Sequence, residues 1–84
     1  MRFQRDGAIM SVDLHGLYEE DAKSLLLNWL DHVPPGVTEL RAIHGSNRGT
    51  VLLHMVREEL SHPRIKSKLF TLNPGETRII LKKL

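Results

Sequence analysis

The sequence contains no cysteine and few aromatic residues, which make up 5% of the chain. The absence of cysteine excludes disulfide bonds, a thiolate nucleophile and a thiolate zinc site. The chain also lacks the run of about 18 apolar residues that a transmembrane helix needs, and its first residues lack the apolar stretch of a signal peptide. We therefore expect a cytoplasmic protein with no membrane partner.

The 84 residues are 40% hydrophobic and 26% charged, which is typical of one small globular domain, and we expect a monomer. The charge is unevenly distributed along the chain. Residues 1–42 hold four basic against seven acidic groups, whereas residues 43–84 hold eight against three. The basic second half of the chain can bind phosphate although the net charge of the whole chain is only +2. The alternative is an ordinary solvated surface rich in lysine.

Hydrophobic periodicity predicts six regular elements. Alternation of apolar and polar residues predicts strands at 9–14, 38–43, 65–72 and 77–83, and spacings of three and four predict helices at 19–33 and about 51–60. Pro74 and Gly75 suit the central positions of a type II turn between the last two strands. Residues 1–8 are polar and predict a flexible N-terminal segment, which leaves residues 9–84 as the domain.

The order of these elements, βαβαββ, predicts an α/β chain folded as an α+β two-layer sandwich. Right-handed crossovers after the first two strands place both helices on one face of a mixed four-stranded sheet. The same crossovers make those two strands parallel, so that their carboxyl ends meet at one edge of the sheet. The other face is left open to solvent or to a partner.

Polar residues follow both parallel strands at that edge, where ligands of open α/β sheets collect. Asp13, His15 and Gly16 follow the first strand, and a polar loop, residues 44–50, follows the second. Free N–H groups at the start of a helix bind phosphate, and imidazole transfers protons near neutral pH. Asp13 could orient an imidazole or hold a divalent cation.

Structural roles compete with these functional ones. An aspartate at the end of a strand is often a turn former. Strict alternation places His44 on the helix-covered face, where a backbone bond could satisfy its ring. By alternation Lys66 and Lys68 share one face, where they either extend a phosphate track or protect a sheet edge from aggregation. The other histidines, His32, His54 and His62, have no ligand spacing, and we expect them to be structural.

Four segments resemble the Smr (small MutS-related) family. Residues 12–16, Val-Asp-Leu-His-Gly, are similar to its Leu-Asp-x-His-Gly motif, and residues 44–49, His-Gly-Ser-Asn-Arg-Gly, to its His-Gly-x-Gly-x-Gly motif. Residues 62–65 resemble its His-Pro-x-Val segment, and residues 77–81 its closing strand. The resemblance extends from about residue 10 to the end of the chain.

This resemblance implies a fold similar to the C-terminal domain of translation initiation factor three, with strand order 1-2-4-3 and the last strand antiparallel between its neighbours. It implies nicking endonuclease activity on DNA, or cleavage of RNA, and partners of the MutS, ribosome-associated or pentatricopeptide-repeat type. Asp13 and His15 match the family's catalytic or substrate-contacting positions. His44, Gly45 and Gly49 match its loop.

Three positions depart from the family's pattern. Asn47 stands where the second loop glycine is found; asparagine tolerates a positive φ, but its side chain could hinder a close approach of phosphate. Val12 replaces the usual leucine. Tyr18 stands where a Ser or Thr often caps the first helix.

Our leading hypothesis from the sequence is binding of the phosphodiester backbone with nicking of DNA or structured RNA. The predicted catalytic residues are Asp13, His15 and His44, and the cofactor is open, with Mg²⁺ or Mn²⁺ at Asp13 as candidates. The predicted phosphate-binding residues are Gly45, Ser46, Asn47, Arg48, Gly49, Thr50, Lys66 and Lys68. The alternatives are a non-catalytic module for branched DNA, structured RNA or ribosomes, and a protein-interaction domain. Trp29 and Tyr18 offer little base stacking for either kind of nucleic-acid binding.

Overall fold

A computed structural model of the chain describes residues 2–45 and 50–83. Within these ranges the chain forms five strands and two helices. The strands are β1 (Phe3–Asp6), β2 (Ile9–Asp13), β3 (Glu39–Ile43), β4 (Ile65–Phe70) and β5 (Glu76–Leu81). The first helix, α1, is Glu19–Asp31. The second helix, α2, begins as an α-helix at Val51–His54 and continues with π-helical geometry over Met55–Glu59.

The strands form a single mixed sheet in the order β1-β2-β3-β5-β4. β2 and β3 are parallel, with Asp13 opposite Ile43 at their carboxyl ends. β5 lies antiparallel between β3 and β4. The order predicted for the last four strands, with the final strand between its neighbours, is therefore confirmed.

Both helices cover the same face of the sheet, as predicted. The residues that point from the strands into the core occupy matching positions in the register: Met10 pairs with Leu40, and Leu40 with Ile79. The helices contribute to this core Ala22, Leu26, Trp29, Leu30, Met55 and Val56. Neither of the two described helices is long and apolar enough to cross a membrane.

The sheet differs from the prediction in having five strands rather than four. The segment predicted to be flexible, residues 1–8, contains β1, which pairs antiparallel with β2. The ring of Phe3 stacks on Trp29 with 6.1 Å between centroids, so this edge strand closes one end of the core. Because Phe3 is the only apolar residue of β1, the segment lacks the alternation that identifies strands in sequence.

The turn between β4 and β5 also differs from the predicted type II turn. Gly75 does not have the positive φ that a type II turn requires at that position. The side chain of Asn73 instead accepts a hydrogen bond from the Gly75 N–H at 2.9 Å. Gly75 is closely surrounded, since an added Cβ would lie 3.3 Å from Oδ1 of Asn73 and 3.4 Å from the Cα of Gly45. The turn thus packs directly against the end of β3.

The open face of the sheet carries an ionic cluster around one buried carboxylate. Glu39 is 6% exposed and accepts hydrogen bonds from Arg41 at 2.8 Å and from Arg78 at 2.8 and 2.9 Å. The Arg78 hydrogen bond is the main cause that holds the pKa of Glu39 below its ordinary value; burial opposes this shift, and the Arg41 hydrogen bond adds to it. Arg41 and Arg78 are directly opposite each other on adjacent strands, and the carboxylate between them offsets the repulsion of their like charges.

Candidate functional site

The carboxyl ends of β2 and β3 meet at one edge of the sheet, which we call the rim and define as residues 13–16 and 44–45. The main-chain N–H of Leu14 donates to the carbonyl of Ile43 at 2.9 Å, so the two segments leave the sheet side by side. The structure therefore brings together the Asp-x-His-Gly and His-Gly segments that the sequence predicted to be neighbours.

Asp13 and His15 are both exposed at the rim. The carboxylate of Asp13 accepts a hydrogen bond from the main-chain N–H of His15 at 2.9 Å. Asp13 thus orients His15 through the backbone of a turn and not through the imidazole ring, which is the turn-forming role that the sequence left open. The ring of His15 stays at the surface, where a ligand can reach it.

Arg2 joins the rim although the sequence placed it in the flexible segment. One guanidinium nitrogen donates to the carbonyls of Asp13 and His15, each at 3.0 Å, and the Arg2 carbonyl accepts from the Asp13 N–H. β1 runs antiparallel to β2 with Phe3 opposite Val12, so Arg2, which immediately precedes β1, lies beside Asp13 at the end of β2. A positive charge is therefore fixed against the Asp-x-His turn, and no sequence signal short of recognising β1 could have found it.

Each of the two segments contains a histidine followed by a glycine with a left-handed backbone. Gly16 has φ +83° and Gly45 has φ +76°. An added Cβ at either position would meet no described atom within 4 Å, so glycine is required for the backbone conformation and not for space. The positive φ turns the chain sharply at the end of each strand and leaves both segments at the rim.

His44 is buried, with 5% of its surface exposed, and both ring nitrogens have partners. Nδ1 lies 3.0 Å from the carbonyl of Gly45, which can only accept, so Nδ1 carries the proton. Nε2 then accepts from the hydroxyl of Thr77 at 2.8 Å. Burial, assisted by the charge of Arg57, lowers the pKa of His44 below its ordinary value. The geometry matches a satisfied core histidine, the alternative that alternation along β3 suggested.

The backbone at His44 is also held by the turn between β4 and β5. The N–H groups of His44 and Gly45 both donate to the carbonyl of Gly75, at 2.9 and 3.0 Å. The Gly45 N–H, predicted as a phosphate donor, is therefore engaged within the protein. Four predicted phosphate-binding residues, Ser46, Asn47, Arg48 and Gly49, lie outside the described residues. Thr50 is exposed immediately before α2 and makes no side-chain capping bond to it.

Arg57 extends the hydrogen-bonded network around His44 and also contacts Phe70. Neither residue was among the predicted site residues. The Arg57 side chain donates to the Thr77 hydroxyl at 2.9 Å and to the Glu76 carbonyl at 3.1 Å. Its guanidinium also lies over the ring of Phe70, 4.4 Å from the centroid. Arg57 lies in the π-helical part of α2, and sequence periodicity does not indicate which side chain such a turn directs toward the sheet.

The two lysines of β4 do not share a face as alternation predicted. A bulge between Ile65 and Ser67 makes Lys66 an extra, exposed residue and shifts the alternation that follows. Lys68 is opposite the buried Ile79, and its ammonium donates to the carbonyls of Arg57 and Leu60. Burial lowers the pKa of Lys68. Lys68 therefore satisfies carbonyls at the end of α2, while Lys66 remains free to face a ligand.

The residues at the rim offer a single carboxylate to a divalent cation. Over residues 2–45 and 50–83, no three His, Asp or Glu side chains cluster closely enough to hold a metal ion by themselves. Mg²⁺ commonly binds through one or two carboxylates together with water and substrate phosphates. Asp13 alone would suit such a shared site and would not suit a metal held entirely by the protein.

No protein-family model matches this sequence, and a comparison with curated proteins finds no match either. Among solved structures, the chain is similar to the crystal structure of the Smr domain of Thermus thermophilus MutS2. The two share 26% sequence identity with a TM-score of 0.76, over 87% of this chain and 98% of that one. Together with the Asp-x-His-Gly and His-Gly segments at the rim, this similarity identifies the chain as an Smr-like domain.

Proposed function

We propose that the chain binds the phosphodiester backbone of DNA or structured RNA at the rim and cuts one strand by hydrolysis. The observation that carries the proposal is the pairing of the two strand ends, with the Leu14 N–H bonded to the Ile43 carbonyl at 2.9 Å. This pairing gives an exposed imidazole, an exposed carboxylate and a fixed guanidinium within one small surface. That set can neutralise a phosphate and move a proton beside it.

His15 is the proton-transfer group in this proposal. Its side chain is exposed, whereas that of His44 is buried with both nitrogens occupied. As water attacks phosphorus and the bond to the leaving oxygen breaks, either His15 accepts the proton of the water and solvent protonates the leaving oxygen, or His15 protonates the leaving oxygen and solvent accepts the proton of the water. His44 acts as a positioning residue, because its contacts hold the backbone at the end of β3.

Arg2 and the loop after β3 hold the phosphate in this proposal. One nitrogen of Arg2 is occupied by main-chain carbonyls, and a guanidinium carries further donors on its other nitrogens. The sequence also assigned this role to Arg48 and its neighbours. Asp13 would hold a divalent cation, if one is used, and the cation would neutralise charge developing on the phosphate.

The second candidate function is binding without cleavage, as a module for branched DNA, structured RNA or ribosomes. Its support is the contact between the Asp13 carboxylate and the main-chain N–H of His15 at 2.9 Å. That contact gives Asp13 a complete structural role as a turn former. The same rim, with Arg2 beside it, would then hold phosphate with no chemical step.

The proposal is tested by incubating the purified protein with supercoiled plasmid and with a structured RNA, in the presence and absence of a chelator. Asp13→Ala and His15→Ala are compared with His32→Ala as the matched control. His32 is an exposed histidine at the far end of α1, about 20 Å from its first residue. We expect the wild type and His32→Ala to nick the substrate, and the rate of nicking to fall by roughly 100-fold or more in the two rim variants.

Cleavage that persists in both rim variants would reject the catalytic assignment and indicate a contaminating nuclease. Salt-sensitive binding without cleavage by the wild type would select the second candidate function. Absence of binding to either nucleic acid would leave the protein-interaction alternative.

A further inference from the structure

Phe70 is a large aromatic residue that the core does not use. It is the last residue of β4 and is 58% exposed, and it lies outside the cluster of buried apolar side chains. It pairs with Thr77, whose hydroxyl is bonded to His44. Phe70 therefore stands one strand beyond the hydrogen-bonded network that supports the rim.

The ring of Phe70 lies against an anchored cation. The guanidinium of Arg57 lies 4.4 Å from the ring centroid and is itself anchored by two hydrogen bonds, to the Thr77 hydroxyl and the Glu76 carbonyl. Exposing an aromatic ring to water is unfavourable, and fixing it costs side-chain entropy. Proteins that bind single strands use this combination of exposed aromatic and arginine to stack bases.

The position of Phe70 relative to the rim fits a single bound strand. β2, β3, β5 and β4 are successive neighbours, so Asp13 and Phe70 are three strand spacings apart, or about 14 Å. At the duplex rise of about 3.4 Å per nucleotide this distance corresponds to roughly four nucleotides, and a more extended unpaired strand spans it with fewer. A strand that crosses the ends of the sheet strands can thus place a phosphate at the rim and a base at Phe70.

We propose that Phe70, held by Arg57, is a stacking site for one unpaired nucleobase of the strand whose backbone lies at the rim. The inference rests on the proposed function and adds a substrate class to it. Bases inside a regular duplex are covered on both faces by their neighbours, so only an unpaired or splayed base can stack on Phe70. The domain therefore prefers nucleic acid that has unpaired bases a few nucleotides from the bound phosphate, over a perfect duplex.

The test measures binding by fluorescence anisotropy at one fixed salt concentration, with the full chain and three probes. The probes are a labelled single strand, a fork with one unpaired arm, and a perfect duplex of equal length. Phe70→Ala removes the ring, Phe70→Leu keeps apolar volume without an aromatic face, and Phe70→Trp keeps stacking. The matched control is Leu72→Ala, which removes a fully exposed apolar side chain from the same hairpin.

We expect Phe70→Ala and Phe70→Leu to weaken binding to the single strand and the fork by roughly 5- to 100-fold, while duplex binding changes less than about twofold. Phe70→Trp and Leu72→Ala should bind all three probes as the wild type does. A 2-aminopurine placed in the unpaired arm should be quenched by the wild type and by Phe70→Trp, and not by Phe70→Leu.

Two results would overturn the stacking site while leaving the proposed function intact. The first is that Phe70→Ala and Phe70→Leu bind the fork as tightly as the wild type does. The second is that these variants lose affinity equally for all three probes. If the wild type binds none of the probes, the proposed function and the stacking site fall together. Circular dichroism of each variant confirms that it is folded before its binding is compared.

Discussion

The hydroxyl of Thr77 lies 2.8 Å from Nε2 of His44 and joins the end of β3 to the start of β5. The same hydroxyl accepts from the Arg57 side chain at 2.9 Å, so one oxygen connects the sheet to α2. All three residues are at least partly buried. This hydrogen bond supports the backbone of the rim, and its loss should lower the stability of the domain.

Replacing Thr77 by Val should destabilise the domain by about 1–3 kcal/mol, because it leaves Nε2 of His44 and Nε of Arg57 without their buried partner. Urea unfolding followed by circular dichroism measures the change. The matched control is Thr38→Val, since Thr38 is exposed and its hydroxyl makes only a 3.4 Å contact with Ala8. The control should change stability by less than about 0.5 kcal/mol. Equal effects of the two substitutions would contradict the role assigned to Thr77.

The lowered pKa of His44 predicts how stability depends on pH. Burial disfavours the protonated ring in the folded protein, whereas the unfolded chain binds a proton near the ordinary value of 6.5. The stability that the neutral ring of His44 contributes is therefore fully present above about pH 6.5 and is lost as the pH falls through the lower pKa of the folded protein. The free energy of unfolding should decrease from about pH 7.5 to pH 5, and less steeply in His44→Gln. Identical slopes in the two proteins would show that His44 does not titrate in this way.

Tyr18 offers a stabilising substitution. It occupies the N-cap position of α1 with φ −68° and ψ 153°, makes no side-chain capping bond, and is 79% exposed. Tyr18→Ser supplies a side-chain oxygen for the free N–H groups of the first turn and should stabilise the domain by roughly 1 kcal/mol. Thermal unfolding measures this gain. Tyr18→Ala is the control without an acceptor, and a gain of the same size in that variant would argue against capping.

Arg2 should contribute directly to nucleic-acid binding. If its guanidinium contacts one phosphate, Arg2→Ala should weaken binding and reduce the slope of log K against log salt by about 1. Arg5→Ala is the matched control, because Arg5 lies in β1, three residues after Arg2, and its guanidinium donates to the carbonyls of Gly7 and Pro35. An unchanged salt slope in Arg2→Ala would remove Arg2 from the binding surface.

Periodicity and the crossover rule predicted two helices on one face of a sheet whose first two strands are parallel, because the apolar residues of α1 and of the inner strands repeat at regular spacings. The position of the last strand between its neighbours was implied by the family resemblance. Periodicity and the crossover rule also predicted that Asp13 and His44 would lie at one edge, since parallel strands share their carboxyl ends. β1 escaped this reasoning because an edge strand with one apolar residue has no period to detect. Arg2 was missed for the same reason.

The finer errors arose where the backbone departs from ideal geometry. The bulge in β4 separates Lys66 from Lys68, and the π-helical turn directs Arg57 toward Phe70 and Thr77. Whether His44 is a catalyst or a core residue was left open by the sequence. Its partners are 1 and 33 residues away, and the distant one, Thr77, is revealed only by the pairing of β3 with β5.

The most direct measurement of the central claim is an NMR titration of ¹⁵N-labelled protein with a short DNA fork. If the rim is one phosphate-binding surface, the amides of Asp13 to Gly16 and of His44 and Gly45 should shift together, with one binding constant that weakens as salt is added. The amides of Val33 and of Gly36 to Thr38, at the opposite edge of the sheet, should not move. Shifts concentrated at that opposite edge, or confined to only one of the two rim segments, would contradict the claim.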